Sequence, residues 1–243
     1  MNDDPLKIVG ETFEHLRLKP VGHAKVAILQ FVSIQFIVWT TVCLGMFAAI
    51  GALVATDGNE GAQAVVMLGV WGGIFGLMFL LLPPLMLFLY GYQAATLAEV
   101  DGIEDVGPGA VFRQIRLMAM AMLGMMVIQC GLGMVGLMMC YIGAIFTALP
   151  LRYAFLLKVD RHLSVMDAIA AAWEGFWAKP GAHFASFGTV FVLSMILSYI
   201  PLIGPLIAWP VLAVFEAKSF RKLYGKNGEG GIVSLAASGA SLN

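Results

Sequence analysis

The chain has 243 residues, of which 60% are hydrophobic and 12% charged, with a mean hydropathy of +0.89 and a formal net charge of −1. A soluble domain carries about 25% charged residues, so a water-soluble core of this size cannot absorb the apolar excess. No dense basic patch offers a surface for nucleic acid.

The first 25 residues include Asp3, Asp4, Lys7, Glu11, Glu14, Arg17, Lys19 and Lys25, which is unlike the short apolar core of a cleavable signal. Insertion is therefore expected to begin with the first spanning helix. Val26 to Ala55 is uncharged, Thr56-Asp57-Gly58-Asn59-Glu60-Gly61 forms a polar turn, and a second apolar run reaches Ala98. About 20 helical residues cross roughly 30 Å of hydrocarbon, so these runs predict a membrane hairpin. The second run is too long for one crossing unless Pro83 and Pro84 bend it along the surface. Leu117 to Leu151 predicts a second hairpin that turns at Gly131, Gly133 and Gly136. Pro180 to Phe215 predicts a third, broken at Tyr199-Ile200-Pro201-Leu202-Ile203-Gly204-Pro205. Each hairpin returns through a proline, Pro84, Pro150 or Pro210, where a kink is expected.

The expected fold is all-α and polytopic, with six transmembrane helices. All fourteen Lys and Arg residues then fall on one side, and the first opposite turn carries Asp57 and Glu60. Because cations in short loops stay cytoplasmic, both termini are expected inside. Residues 13–23 laid over 173–183, an offset of 160, repeat one another: Phe13-Glu14 with Trp173-Glu174, Lys19-Pro20 with Lys179-Pro180, His23 with His183. Val111 to Arg116 is a weaker copy. A single integral membrane domain over 1–225 follows, with repeats near 5–101, 106–161 and 164–225, and a flexible cytoplasmic tail over 226–243.

Each repeat opens with an amphipathic segment. Between Ser164 and Lys179, the residues Val165, Ile169, Ala172, Trp173, Phe176 and Trp177 recur at helical spacing, with Ser164 as N-cap and Asp167 three residues on. Such helices either lie in the headgroup zone or pack as cytoplasmic extensions of the spans, and tryptophan favours the first. The interface set is Phe13, Lys19, Pro20, Trp173, Phe176, Trp177, Lys179 and Pro180.

The stretch Trp173-Glu174-Gly175-Phe176-Trp177-Ala178-Lys179-Pro180 resembles a broad group of uncharacterised bacterial six-helix inner-membrane proteins. Ile200 to Pro210 and Phe220-Arg221-Lys222-Leu223-Tyr224-Gly225 extend the likeness. A similar membrane module precedes the catalytic domain of some glycerophosphodiester phosphodiesterases, and no counterpart of that domain is read here. The resemblance implies a fold and a bacterial inner membrane, and carries no activity.

Candidate chemistry is sparse. His15, His23, His162 and His183 show no His-x-x-x-His spacing, and headgroup contact or capping is the simplest reading of His23 and His183. Met118, Met122, Met126 and Cys130 recur every fourth position and offer soft ligands for Cu(I), although methionine is also an ordinary apolar filler. Cys43, Cys130 and Cys140 give no disulfide framework. Glu99, Asp101, Glu104 and Asp105 read as a solvated acidic loop. Gln30, Gln35, Gln129, Ser194 and Ser198 read as hydrogen-bond glue between spans, and Gly69, Gly72, Gly73 and Gly76 as close-packing faces. With no metal cluster or nucleophile–base pair legible, the chain is expected to be non-enzymatic and without a cofactor. A scaffold or accessory subunit that organises the membrane is the leading expectation, with membrane lipids, other subunits or a second copy as partners. A transporter or pore for a lipid-like or small apolar substrate is the alternative, and Cu(I) handling a third.

Overall fold

The computed structural model describes residues 5–56, 60–138, 149–200 and 203–225. Among them every regular element is helical. The helices are α1 (Pro5–Leu18), α2 (Pro20–Ala55), α3 (Glu60–Val100), α4 (Pro108–Met138), α5 (Ala154–Arg161), α6 (Val165–Ala178), α7 (Pro180–Ser198) and α8 (Ile203–Tyr224). The tail over 226–243 and the Cys140 position lie outside the described residues.

Three stretches, Pro20–Gly51, Pro108–Leu132 and Pro180–Ser198, are long and apolar enough to cross a membrane, against the six expected. Part of the shortfall has a physical cause. In α8 the apolar residues give way to Glu216, Lys218, Arg221 and Lys222, and the second and third turns fall partly at 139–148 and 201–202, outside the described residues. Helix α4 also corrects the turn expected at its glycines, because it continues through Gly131, Gly133 and Gly136 to Met138. Glycine breaks a helix readily in water, where freed amides find solvent, but in hydrocarbon each freed group costs several kcal/mol. Pro83 and Pro84 lie inside α3, which is continuous through them, and at about 1.5 Å per residue this helix is about 60 Å long, twice the hydrocarbon thickness. Pro210 lies inside α8 and is buried, as is Pro150, which precedes α5.

Lys-Pro punctuation works as expected at both ends of the chain. Proline is favoured at the first helical position, where no amide is needed, so Pro20 and Pro180 each open a long helix directly after a short one. Ser164 caps α6 by accepting from the Asp167 amide at 3.1 Å.

The chain forms two compact units, one of the described residues of Met1–Ile28 and Leu87–Asn243, the other Leu29–Met86. The larger unit holds the main core: Met122 and Met125 of α4, Tyr153 to Leu157 at the start of α5, Ala168, Ala171 and Ala172 of α6, and Phe220, Leu223 and Tyr224 of α8. Helix α1 docks on α8, and α5 on α6. The amphipathic helices therefore pack on other helices, and α6 turns Ala168, Ala171, Ala172, Gly175 and Phe176 inward. Trp173 and Trp177, expected on the same face as Phe176, are exposed. In the smaller unit, Thr41, Gly45 and Ala48 of α2 and Gly69, Gly73 and Ile74 of α3 line an apolar groove of about 470 Å³. The glycines expected to pack closely do not: a Cβ on Gly69, Gly72, Gly73 or Gly76 would meet no atom within 4 Å.

Candidate functional site

The most organised polar cluster in the larger unit lies where α1, α2 and α3 meet. Lys19 breaks the chain between α1 and α2, which brings His15 from the end of one helix beside His23 in the opening turns of the next, ring centroids 6.1 Å apart. Glu99 reaches them from the last turn of α3. Its Oε2 accepts from His23 Nε2 at 2.6 Å and lies 3.3 Å from His15 Nε2. The second nitrogen of His23, Nδ1, is 2.8 Å from the hydroxyl of the buried Tyr92.

A helix ending holds Glu99 in place. Gly102, at φ +74°, donates to the Glu99 carbonyl at 2.9 Å, and Ile103 donates to Ala98 at 2.9 Å, the paired bonds of a left-handed helix cap that favours glycine. The chain then folds back so that the Val106 amide donates to Glu99 Oε1 at 3.4 Å and Asp105 pairs with Lys19 at 2.5 Å. This loop presses on α2 at Gly22, where a Cβ would lie 1.9 Å from the Val106 carbonyl oxygen.

The electrostatics follow from burial and bonding. Burial pushes the Glu99 carboxyl up, but the bond and charge of His23, then the His15 bond and the Val106 amide, outweigh it and hold the group below the usual carboxylate range. Burial lowers His15, against the raising effect of Glu99, which favours its neutral imidazole. The exposed Lys19 ammonium is raised, chiefly by its bond to Asp105.

The acidic loop is thus solvated only in part, Asp105 being exposed and Glu99 buried. Glu99 is 3% exposed, Asp101 and Asp105 hold Arg221 and Lys19, and Glu104 pairs with Arg113. Arg221 Nε donates to Asp101 Oδ1 at 2.8 Å, and Nη2 to Asp160 Oδ1 at 2.6 Å, tying α8 to the end of α3 and to α5. A cavity of about 490 Å³ opens beside this knot, lined by Asp101, Glu104, Arg113, Asp160 and Arg221 over the apolar Leu97. Arg152 donates to Glu216 at 3.2 Å, and Gln93 to the same carboxylate at 3.0 Å.

His23 and His183, expected at headgroups or caps, are both buried. The repeat gives them different surroundings. His183 sits among the rings of Tyr153, Phe176 and Tyr224 at 5.5 to 5.9 Å, while His23 faces a carboxylate. The carboxylate that His23 faces lies 76 residues away, and no local spacing announces it.

Of the expected interface residues, Phe13, Lys19, Pro20, Trp173, Trp177, Lys179 and Pro180 are exposed, and Phe176 is core. The sulfur stripe does not converge: Met122 and Met125 are packed in the core, Met118 lies at its edge, Met126 is half-buried and Cys130 is exposed. Among the glue residues, Gln129 bridges Tyr90 and the Leu151 carbonyl, whereas Ser198 bonds Ser194 of its own helix and Gln30 is buried with no hydrogen-bond partner among the described residues.

These observations define an all-helical protein with three described helices fit to cross a membrane. The chain matches no protein-family model, no curated protein and no solved structure.

Proposed function

We infer that this chain is a non-enzymatic scaffold or accessory subunit of a bacterial inner membrane, crossing it six times with both termini in the cytoplasm. The observation that carries the reading is the location of the packing. Within the three spanning windows only 22%, 11% and 17% of residues are buried, whereas the dense aromatic core lies mostly in α5, α6 and the charged ends of α3 and α8, with Met122 and Met125 the contribution of a spanning helix. Phe36, Trp39, Phe47, Leu68, Met120 and Val127 stand exposed along the spans, a load of apolar surface that water would not tolerate and that lipid or neighbouring helices accept. The open glycine face of α3 permits close approach by another helix. The six-helix topology rests on the placement of all fourteen cations and on the internal repeat, and the bacterial inner membrane on the resemblance described above.

The test is purification in mild detergent after chemical cross-linking in the native membrane. A scaffold emerges with defined protein neighbours or as a defined oligomer. A protein that always emerges alone and monomeric, and whose loss leaves every membrane complex intact, would sink the reading. The lipid-transport alternative draws support from the apolar groove between α2 and α3, and lipid exchange between vesicles reconstituted with the protein would separate the two.

A further inference from the structure

We propose that His15, His23 and Glu99 form a binding site for one divalent first-row transition ion, Zn²⁺ by preference. The three side chains offer two imidazole nitrogens and one carboxylate oxygen, and these ligand atoms lie within 4.8 Å of one another. The carboxylate oxygen stands 2.6 and 3.3 Å from the two Nε2 atoms. Bonds of about 2.05 Å at tetrahedral angles give ligand–ligand edges of about 3.3 Å, so small rotations of three side chains suffice to enclose an ion. Two nitrogens and a carboxylate suit Zn²⁺, Co²⁺ or Fe²⁺ better than Mg²⁺ or Ca²⁺, which prefer all-oxygen shells.

The supporting groups already stand behind the ligands. When His23 turns its Nε2 lone pair to an ion, its Nδ1–H donates to the Tyr92 oxygen, now 2.8 Å away, which fixes ring and tautomer. The Val106 amide holds the other oxygen of Glu99. Three protein ligands leave a fourth position for water, on the partly exposed side of His15.

Packing alone does not require this arrangement. The repeat position of His23 is His183, buried as deeply but set among aromatic rings, with no carboxylate of the described residues paired with it. The position matching His15 is Gly175. One copy of the unit thus carries three ligand side chains and the other none but the histidine. The opposing feature is Lys19, whose ammonium lies 4.0 Å from Glu99 Oε1. It is already paired with Asp105, and it weakens the site without occupying it.

The experiment titrates Co²⁺, then Zn²⁺, into the full chain in lipid nanodiscs after chelator treatment, reading Co²⁺ d–d absorption, stoichiometry and thermal shift. One Co²⁺ per chain is expected, with the intense visible bands of low coordination, displaced by Zn²⁺. His23→Ala and Glu99→Gln lose on the order of tenfold or more in affinity. Lys19→Gln tightens binding, and His183→Ala leaves it unchanged. If His23→Ala or Glu99→Gln fails to fold, His15→Ala, at the least buried of the three ligands, provides the same reading. No Co²⁺ bands in the wild type, or equal binding by wild type and the ligand variants, overturns the proposal. The outcome is independent of the scaffold reading.

Discussion

The ring of Tyr224 occupies the space that a side chain on Gly175 would take: a Cβ there would lie 2.5 Å from Tyr224 Cε1. The ring cannot retreat easily, since it stacks on Phe220 at 5.3 Å and 26° and is fully buried. Alanine in place of a helical glycine normally gains about 1 kcal/mol, while forcing extra volume into a packed core costs about 1–3 kcal/mol, so the clash decides the sign. Gly175→Ala is expected to lower the unfolding midpoint. Gly10→Ala, at a helical position with nothing within 4 Å, is expected to raise or maintain it. Thermal unfolding of both variants in one detergent makes the comparison.

Gly22→Ala should be worse than either. Its clash is with the backbone oxygen of Val106, which cannot rotate away as a side chain can. A loss of about 3 kcal/mol or more is expected, together with displacement of the loop that carries Asp105 and Val106. Increased protease cleavage within 101–107 would report that displacement.

Arg221 holds Asp101 and Asp160 together, and its removal takes a shared guanidinium from two largely buried carboxylates. Breaking such a pair costs about 3–5 kcal/mol. Arg221→Ala is expected to fall in that range. Arg221→Lys should recover only part, because an ammonium cannot reproduce the forked donation to two carboxylates. Unfolding in increasing denaturant distinguishes the three proteins.

Lys218 gives a pH dependence of known sign. Burial lowers its ammonium below the usual lysine value, Glu11 and Glu14 partly offset this, and Lys222 adds to it. Between the lowered folded value and 10.5, the unfolded chain binds more protons than the folded one, so stability rises with pH across that window. The midpoint of the wild type minus that of Lys218→Met should therefore move in favour of the wild type from pH 7 to pH 10. A difference independent of pH would contradict it.

Trp173 and Trp177 project from the outer face of α6, 43% and 56% exposed. On a headgroup-level helix they contact lipid. With the other tryptophans replaced by phenylalanine, fluorescence from Trp177 should be quenched most by lipids brominated near the headgroup and least by those brominated at the chain end.

Much of the helical punctuation was legible in the sequence. Pro20, Pro180 and the Ser164 cap act within one turn of the chain, so the same local rules apply in any surroundings. The orientation of α6 was not legible by the same route. Its tryptophans have the greatest apolar area, but Gly175 and the alanines are the residues small enough to let Tyr224 and Phe155 approach, so the small face turned inward. Glu99 was misread for a related reason. A carboxylate among other acids reads as solvated, and only histidines 76 and 84 residues away make its burial affordable. The glycines of α4 were read with the rules of water, where a turn can hydrogen-bond to solvent.

The docking of α1 on α8 has a consequence for synthesis. Lys218 Nζ donates to the Glu11 carbonyl at 2.6 Å across 207 residues, and Lys222 reaches the Glu11 carboxylate at 3.5 Å. Helix α1 therefore meets its main packing partner only once α8 has been made, although His15 can reach Glu99 earlier. Contacts of such sequence separation form late and slowly. A nascent chain stalled before α8 should leave α1 more open to proteases than one stalled after it.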